Sequence, residues 1–474
     1  MLERRLLSNS FSILVTRLTQ SITTFVMSAA IGRLLGAFEL GQYLLAFSFY
    51  FVFMSLASEG LKVLFTRELS RHPEATPTYL VSGTILQLLF SAIAYSILVV
   101  LVVVLPYQPQ TTWICLVMGL ALFPFSLSNI TESIFLAREK MYLITASTVP
   151  VYIGRVLIMI WAMQRGGDVL SVAAIFVGSE AVILLVEWAI IGRSLVPNWK
   201  LDRAFMRSAV QSVRTFIAIE GVSVVNSRLQ MLILSVLGGE FVVGLYGAII
   251  QLMQPFDILS NSLTVGVFPS MTKTVAMRLS RQRLLVERVI EALNFGAMPL
   301  IVGLILFGED VLALVYQQDD FQAATVPLMI VSLGLLASCL NRPLSYLLVA
   351  NQFERINMRE VLVTTLVSAI AGVVLVSQFG LIGAAATVLL TRIVGCSQYV
   401  YAVCYRFFPV RYGRIVRRPL LLTAIMLGVF LVLKMSGLSI GGIIGVSFAV
   451  YGGLLAGLAW QARRSRQTIA NLAR

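Results

Sequence analysis

Fourteen ionisable side chains stand inside long apolar stretches of this 474-residue chain. Seven are cations: Arg17, Lys62, Arg155, Arg214, Arg228, Arg342 and Arg392. Seven are anions: Glu59, Glu132, Glu180, Glu187, Glu220, Asp257 and Glu291. A charge among apolar neighbours is costly, so it either marks a function or finds a partner. Arginine predominates among the cations. A guanidinium stays ionised when buried and presents a fork of donors that matches phosphate oxygens. Arg17, Arg155, Arg228 and Arg392 lie deepest. With Lys62 they are the candidate cations for an anionic ligand, a phosphate or diphosphate above all, each against the alternative of a structural ion pair. Glu59, Glu220 and Asp257 are candidates for coupling to a proton or sodium ion, or again for ion pairing. Glu59 and Lys62 are three residues apart and could pair on one helix. Glu132, Glu180 and Glu220 are candidate partners for the arginines. Arg214, Arg342 and Glu187 lie near span ends, where long side chains snorkel to water.

Other chemistries are excluded early. The single histidine, His72, rules out a histidine-based triad or a histidine-rich metal site. Cys115, Cys339, Cys396 and Cys404 fall in apolar runs at no metal-ligand spacing and read as small core residues. No catalytic residue, metal site or cofactor is expected.

The elements that must position these charges follow from composition. Apolar residues make up 58% and charged residues 12%, where soluble domains carry about 25% charged residues. That excludes a soluble enzyme and, despite a net charge of +14, a nucleic-acid partner. The chain reads as an all-α polytopic membrane protein. Runs of about 20 apolar residues each suffice to cross a bilayer. They fall near 8–31, 41–66, 79–105, 111–136, 142–164, 169–191, 209–236, 242–268, 290–314, 324–350, 353–378, 380–404, 418–435 and 439–462. Of the Lys and Arg residues other than the seven cations above, 26 lie on the face of the N-terminus and three on the other. That asymmetry places both termini in the cytoplasm and accounts for the basic charge. No cleavable leader is expected, because Met1 to Arg5 runs into a long, polar-flecked segment. The outer loops are short. The longest, around Gln317 to Ala323, leaves no room for an outer catalytic domain. The inner loops 192–208 and 269–289 are basic; Leu201, Phe205 and Met206 against Lys200, Arg203 and Arg207 suit the lipid surface.

Two stretches resemble one another. Leu35-Gly36 followed by Gly41-Gln42-Tyr43 matches Leu237-Gly238 followed by Gly244-Leu245-Tyr246. A phenylalanine follows each tyrosine by 22 residues, at Phe65 and Phe268. The copies are six spans apart, so they are parallel repeats related by a pseudo-two-fold axis along the membrane normal. This divides the chain into six-helix lobes at 1–200 and 201–405, two additional helices within 406–462, and a basic tail at 463–474. Polar residues recur at helical spacing on several spans. Span 1 carries Ser10, Arg17, Ser21, Thr24 and Ser28. Span 2 carries Ser48, Ser55, Glu59, Lys62 and Thr66. Span 5 carries Thr145, Thr148, Tyr152 and Arg155. Span 7 carries Glu220, Ser223, Ser227 and Gln230, and span 8 Gln251, Gln254, Asp257, Asn261 and Thr264. Spans 1, 2, 7 and 8 are expected to line a hydrated cavity around which the lobes rock.

At these motifs the sequence resembles a known family. Ile31-Gly32-Arg33-Leu34-Leu35-Gly36 with Glu39-Leu40-Gly41-Gln42-Tyr43 looks like the first outer turn of Wzx-type O-antigen and exopolysaccharide flippases. Leu237-Gly238 to Gly244-Leu245-Tyr246 resembles its second copy, Phe268-Pro269-Ser270 the end of span 8, and Leu340-Asn341-Arg342-Pro343-Leu344 to Ala350-Asn351-Gln352 span 10. That group shares a superfamily with multidrug-and-toxin extruders and the peptidoglycan lipid flippase. The resemblance implies a two-lobed, fourteen-helix bundle in a bacterial cytoplasmic (inner) membrane. It also implies a polyprenyl-diphosphate-linked oligosaccharide as substrate, turned from inner to outer leaflet for surface polysaccharide assembly. The partners implied are membrane lipid, polysaccharide polymerase and assembly enzymes. Where the family often has an aspartate in span 7, this chain reads Val225-Asn226-Ser227-Arg228, which adds a cation instead. The rival readings are a cation-coupled drug antiporter of the same fold, using Asp257 and Glu220, and a membrane polymerase or ligase.

Overall fold

The structure is a computed structural model and describes residues 2–193, 201–275, 279–434, 445–447, 449–455 and 457. Among these residues there is no strand. Ten helices are long and apolar enough to cross a membrane, and a bent pair within 203–237 makes eleven. The helices are α1 (Leu2–Leu34), α2 (Ala37–Met54), α3 (Gly60–Arg71), α4 (Thr76–Val104), α5 (Pro109–Gly119), α6 (Leu122–Ala137) and α7 (Met141–Gln164). They continue as α8 (Val169–Gly192), α9 (Arg203–Leu237), α10 (Gly239–Val275), α11 (Leu279–Tyr316), α12 (Thr325–Ala350), α13 (Glu354–Arg406) and α14 (Tyr412–Lys434). A π-helical turn, Ser55–Glu59, joins α2 to α3, so Ala37–Arg71 is one span. Pro109–Ala137 is likewise one span built from α5 and α6. The 53 residues of α13 cover two expected spans and break between them at Gly380, whose φ of 53° and ψ of −125° are not helical. The last expected span is represented by a short apolar helix, Gly445–Leu455; the rest of it and the basic tail lie outside the described residues.

Apolar residues turned outward need hydrocarbon rather than water. Phe11, Leu14, Leu18, Ile22 and Val26 form an exposed stripe at helical spacing along α1. Leu89, Ile93, Ile97, Val100 and Val104 do the same on α4. The protein is a multi-pass membrane protein.

Contacts group the chain into two units. The first comprises Met1–Leu252, Glu309–Pro327 and Val361–Val388; the second comprises Met253–Gly308, Leu328–Glu360 and Leu389–Arg474. In the first unit, α1 lies along α7, with the Thr16 hydroxyl donating to Thr145 Oγ1 at 3.0 Å. Leu61, Leu64, Phe65 and Leu69 of α3 pack with Ile130, Ile134 and Phe135 of α6. Phe205 of α9 stacks on Tyr79 of α4, ring centres 3.9 Å apart. In the second unit, Phe307 meets Phe430 edge-on at 4.6 Å, and the Tyr412 hydroxyl donates to Asn294 Oδ1 at 3.1 Å.

The repeat becomes concrete inside the first unit. Gly36 and Gly239 both have positive φ, 112° and 76°. They stand 203 residues apart, as do Gly41 and Gly244, Tyr43 and Tyr246, and Phe65 and Phe268. Gly239 is therefore the counterpart of Gly36, and the register read from Leu237-Gly238 shifts by one residue. The two copies touch reciprocally. A Cβ on Gly41 would lie 1.7 Å from the Glu240 carbonyl oxygen, and one on Gly244 would lie 1.8 Å from the Ala37 carbonyl oxygen. Ala37 and Glu240 are themselves counterparts at the same offset. Gln251 donates to Ser28 Oγ at 3.1 Å, and Ser48, the counterpart of Gln251, donates to the sulfur of Met231, the counterpart of Ser28, at 2.8 Å. The start of α2 and the start of α10 thus meet backbone to backbone, a closeness that only glycine permits.

Gly41→Ala and Gly244→Ala should each destabilise the protein by about 1–3 kcal/mol, because the obstructing atom is backbone and cannot swing aside. Gly154→Ala, whose Cβ would meet nothing within 4 Å, should leave the thermal midpoint of the detergent-solubilised protein unchanged. Equal midpoints for all three variants would refute the close approach.

Candidate functional site

The intramembrane charges resolve into three arrangements. The first is in α3, α6 and the π-helical turn. Lys62 Nζ lies 2.5 Å from Glu132 Oε2. The local pair with Glu59 gives way to this cross-helix one, because α6 packs directly against α3 and delivers Glu132 to the ammonium. Glu59 ends the π-helical turn, whose widened backbone leaves the Ala57 carbonyl to accept from Gln87 Nε2 at 3.1 Å. Asn129 donates to Ser58 Oγ beside it.

The second arrangement is aromatic. Arg155 of α7 meets Glu180 of α8 at 2.9 Å, and their side chains are only 10% and 6% exposed. The same guanidinium lies over Tyr152 at 4.9 Å and Phe176 at 4.7 Å. Phe176 stands edge-on to Phe47 at 6.0 Å. Phe47 and Phe51 of α2 in turn carry the guanidinium of Arg228, at 5.7 and 4.5 Å. Arg228 has no carboxylate partner among the described residues, and its Nε is buried without an acceptor. Cation–π contact offsets part of the desolvation but leaves the charge unneutralised. Arg17 also makes no ion pair among the described residues. It lies on α1 between the lipid-facing stripe and the face that packs on α7, in line with Ser21, Thr24 and Ser28.

The third arrangement lies in the second unit. Asp257 of α10 sits between Arg342 of α12, at 3.1 Å, and Arg392 of α13, at 3.9 Å. Arg342, expected to snorkel, is held by this carboxylate instead. The Arg392 side chain lies against Gly334, where a Cβ would fall 2.8 Å from its Cδ. Its second terminal nitrogen is buried and unpaired. Two cations on one carboxylate leave the group with a surplus positive charge.

Of the candidate residues, the structure brings Lys62 and Glu59 to one cluster, links Arg155 to Arg228 through Phe176 and Phe47, and joins Arg392 to Asp257. The side chain of Glu220 lies outside the described residues. Glu187 was expected near water at a span end. It is instead fully buried, accepting from Thr131 and Ser147 hydroxyls at 2.5 and 3.0 Å. Its spacing carried the signal: Glu180 and Glu187 are seven apart and share one face of α8, the face turned inward. Glu240 was also missed. It takes a hydrogen bond from Thr111, which accepts one from Gln42. Cys115 and Cys339 are core residues as expected, Cys396 is half-buried, and Cys404 is exposed. Among the described residues no group of three or more His, Cys, Asp or Glu side chains could hold a metal ion.

Glu180→Gln should cost about 3–5 kcal/mol of stability, because it strands a buried guanidinium. Replacing both partners by methionine should recover most of that loss. Thermal unfolding in detergent checks it, and a harmless single variant would show that the pair is not holding α7 to α8.

The family described as "Polysaccharide biosynthesis protein" matches residues 6–275, more than half of the chain. No curated protein matches. Among solved structures, the fold is similar to the lipid II flippase MurJ in an inward closed conformation. That match has a TM-score of 0.74 and 17% identity and covers 98% of this chain and 100% of the other. An inward-facing multidrug resistance MATE family transporter of the MOP superfamily matches with a TM-score of 0.62 and 12% identity, over 81% and 94% of the chains. A MOP superfamily transporter from Pyrococcus furiosus, titled for the reverse polarity of its binding pocket, matches at 0.56 and 12%, over 85% and 95%.

Proposed function

The chain belongs to the polysaccharide biosynthesis protein family, and on that premise we propose that it is a flippase. It turns a polyprenyl-diphosphate-linked oligosaccharide from the inner to the outer leaflet of the bacterial cytoplasmic membrane, by alternating access, for surface polysaccharide assembly. The observation that carries the reading is the state of two cations. Arg17, exposed on α1, and Arg228, enclosed by Phe47 and Phe51, are the candidate arginines without a carboxylate partner among the described residues. Their charge is free to meet a diphosphate, whereas Lys62, Arg155 and Arg392 are engaged with Glu132, Glu180 and Asp257. The likeness in fold to a lipid II flippase over the full chain supports the same class of lipid-linked cargo.

The substrate has a charged head, a polar sugar and a long apolar tail. Arg17 and Arg228 take the diphosphate. The hydroxyl-bearing face of α1 and the rings of Phe47 and Phe51 meet the sugar, and the tail stays in hydrocarbon. Binding must be loose enough for release, so no covalent step is needed and no enzymatic activity is assigned. The lobes proposed to move are 1–200 and 201–405, and both termini face the cytoplasm by the distribution of Lys and Arg. The rival antiporter would need a carboxylate open to an organic cation. Asp257, its leading candidate, is already shared by two arginines, which favours the flippase.

Arg17→Ala and Arg228→Ala should each abolish surface polymer while the protein still inserts in the membrane. Lipid extracts from those cells, read by mass spectrometry, should show accumulated polyprenyl-diphosphate oligosaccharide. Full polymer output from both variants at normal expression would overturn the arginine assignment. An unchanged lipid pool in cells lacking the protein altogether would overturn the flippase itself.

A further inference from the structure

The charges around Lys62 do not balance. Its ammonium meets Glu132 at 2.5 Å, and Glu59 and Glu187 act on it as well. Arg155 and Glu180 of the same unit already neutralise one another. One cation is therefore left to three carboxyl groups in a span interior, where an uncompensated charge is expensive. Glu187 is the most enclosed of the three, with 0% exposure. Among the described residues no Lys or Arg nitrogen lies within 4 Å of it.

The hydrogen bonds at Glu187 also accommodate a proton. Thr131 Oγ1 lies 2.5 Å from Glu187 Oε2 and 2.7 Å from the Ser128 carbonyl oxygen. Ser147 Oγ lies 3.0 Å from Glu187 Oε1 and 3.0 Å from the Ile144 carbonyl oxygen. Each hydroxyl has one hydrogen and two acceptors in reach. The Ile144 carbonyl oxygen already accepts from Thr148 Oγ1 at 2.7 Å, so Ser147 can give its hydrogen to Glu187 Oε1, whereas an ionised Glu187 draws the Thr131 hydrogen away from the Ser128 carbonyl. A proton on Oε2 donates to Thr131 Oγ1, frees the Thr131 hydrogen for Ser128, and removes one negative charge from the cluster. The remaining surroundings supply no substitute. Glu132 of α6, Lys62 of α3 and Tyr152 of α7 are the titratable groups that act on Glu187. On its own helix Glu180 is taken by Arg155. α2 brings Tyr50 toward Glu180, and α5 has no charged residue, its Cys115 lying toward Glu240.

We propose that Glu187 binds and releases a proton inside the membrane, and that the Glu59–Lys62–Glu132–Glu187 cluster couples a proton gradient to transport. Loss of the proton sets Glu187 against Glu132 for Lys62. The lysine lies one helical turn beyond the π-helical segment of the second span, so the competition is felt where that span is least regular. The coupling rests on the flippase reading; the proton occupancy does not.

The test uses the full chain in lipid nanodiscs and the infrared carbonyl band of a protonated carboxyl group. The band should be present in the wild-type protein, shift on exchange into heavy water and disappear in Glu187→Gln. Glu187→Asp, which keeps a carboxyl group, should retain a displaced band and guards against a folding artefact. Identical spectra for wild type and Glu187→Gln across the pH range of stability would overturn the occupancy. Substrate movement in inverted vesicles with and without an imposed pH difference tests the coupling. The wild type should respond to the gradient and Glu187→Gln should not. A wild type that flips at the same rate in both conditions would overturn the coupling alone. A wild type that moves no lipid-linked substrate in either condition would overturn the flippase reading, and with it the coupling, while the infrared result stands.

Discussion

An ion in hydrocarbon must find a counter-charge, a dipole or water, and this requirement organises the intramembrane charges. It decides which helices become neighbours. Glu132 on α6 is held to α3 by Lys62, Glu180 on α8 to α7 by Arg155, and Asp257 on α10 to α12 and α13 by its two arginines. Apolar packing between helices gains little in a membrane, since lipid tails are as apolar as leucine. The cross-helix ion pairs therefore supply specificity of partner and register that apolar faces alone would not.

Backbone proximity supplies the rest. The two copies of the repeat meet where Gly41 and Gly244 let carbonyl groups approach to distances that any side chain would forbid. The reciprocal contacts of Ser28 with Gln251 and of Met231 with Ser48 obey the same offset. Identical backbones related by a two-fold axis present the same donors and the same steric limits to one another. A glycine demanded on one copy is thus demanded on the other.

Much of the architecture was legible in the sequence because it is local. The length of each apolar run, the positive-φ glycine after α1 and the break in α13 near residue 380 are written in consecutive residues. So are the polar faces of α1 and α10. The partners of the charges were not legible, because they are chosen across helices. Glu59 precedes Lys62 by three residues, yet α6 presents Glu132 more closely to the same ammonium. Arg342 lies near a span end, yet a carboxylate on another helix holds it. Glu187 lies near a span end by distance along the chain, yet it is fully buried. Its burial depends on α6 and α7 packing over it, which the seven-residue spacing from Glu180 signals only as a shared face of α8. The one-residue shift between Gly238 and Gly239 has a similar origin. Two adjacent glycines look alike in sequence, and only the backbone turn decides which takes positive φ.

The contrast between the paired and the unpaired arginines bears on how an anion could be both held and released. Arg155 has a carboxylate at 2.9 Å, so an incoming phosphate would have to displace a partner already desolvated beside it. Arg228 rests on the faces of Phe47 and Phe51. Such contacts contribute about 0.5–2 kcal/mol and leave the guanidinium's charge uncancelled. A phosphate bound there, as proposed, would break no ion pair, and on its departure the rings would still hold the side chain in place. A carboxylate waiting nearby would strengthen release but weaken capture; a bare arginine would do the reverse and would also be costly when empty. Aromatic support lies between these limits. It keeps an empty cation tolerable in a span interior and keeps its charge available, as the proposed flippase cycle would require at both ends.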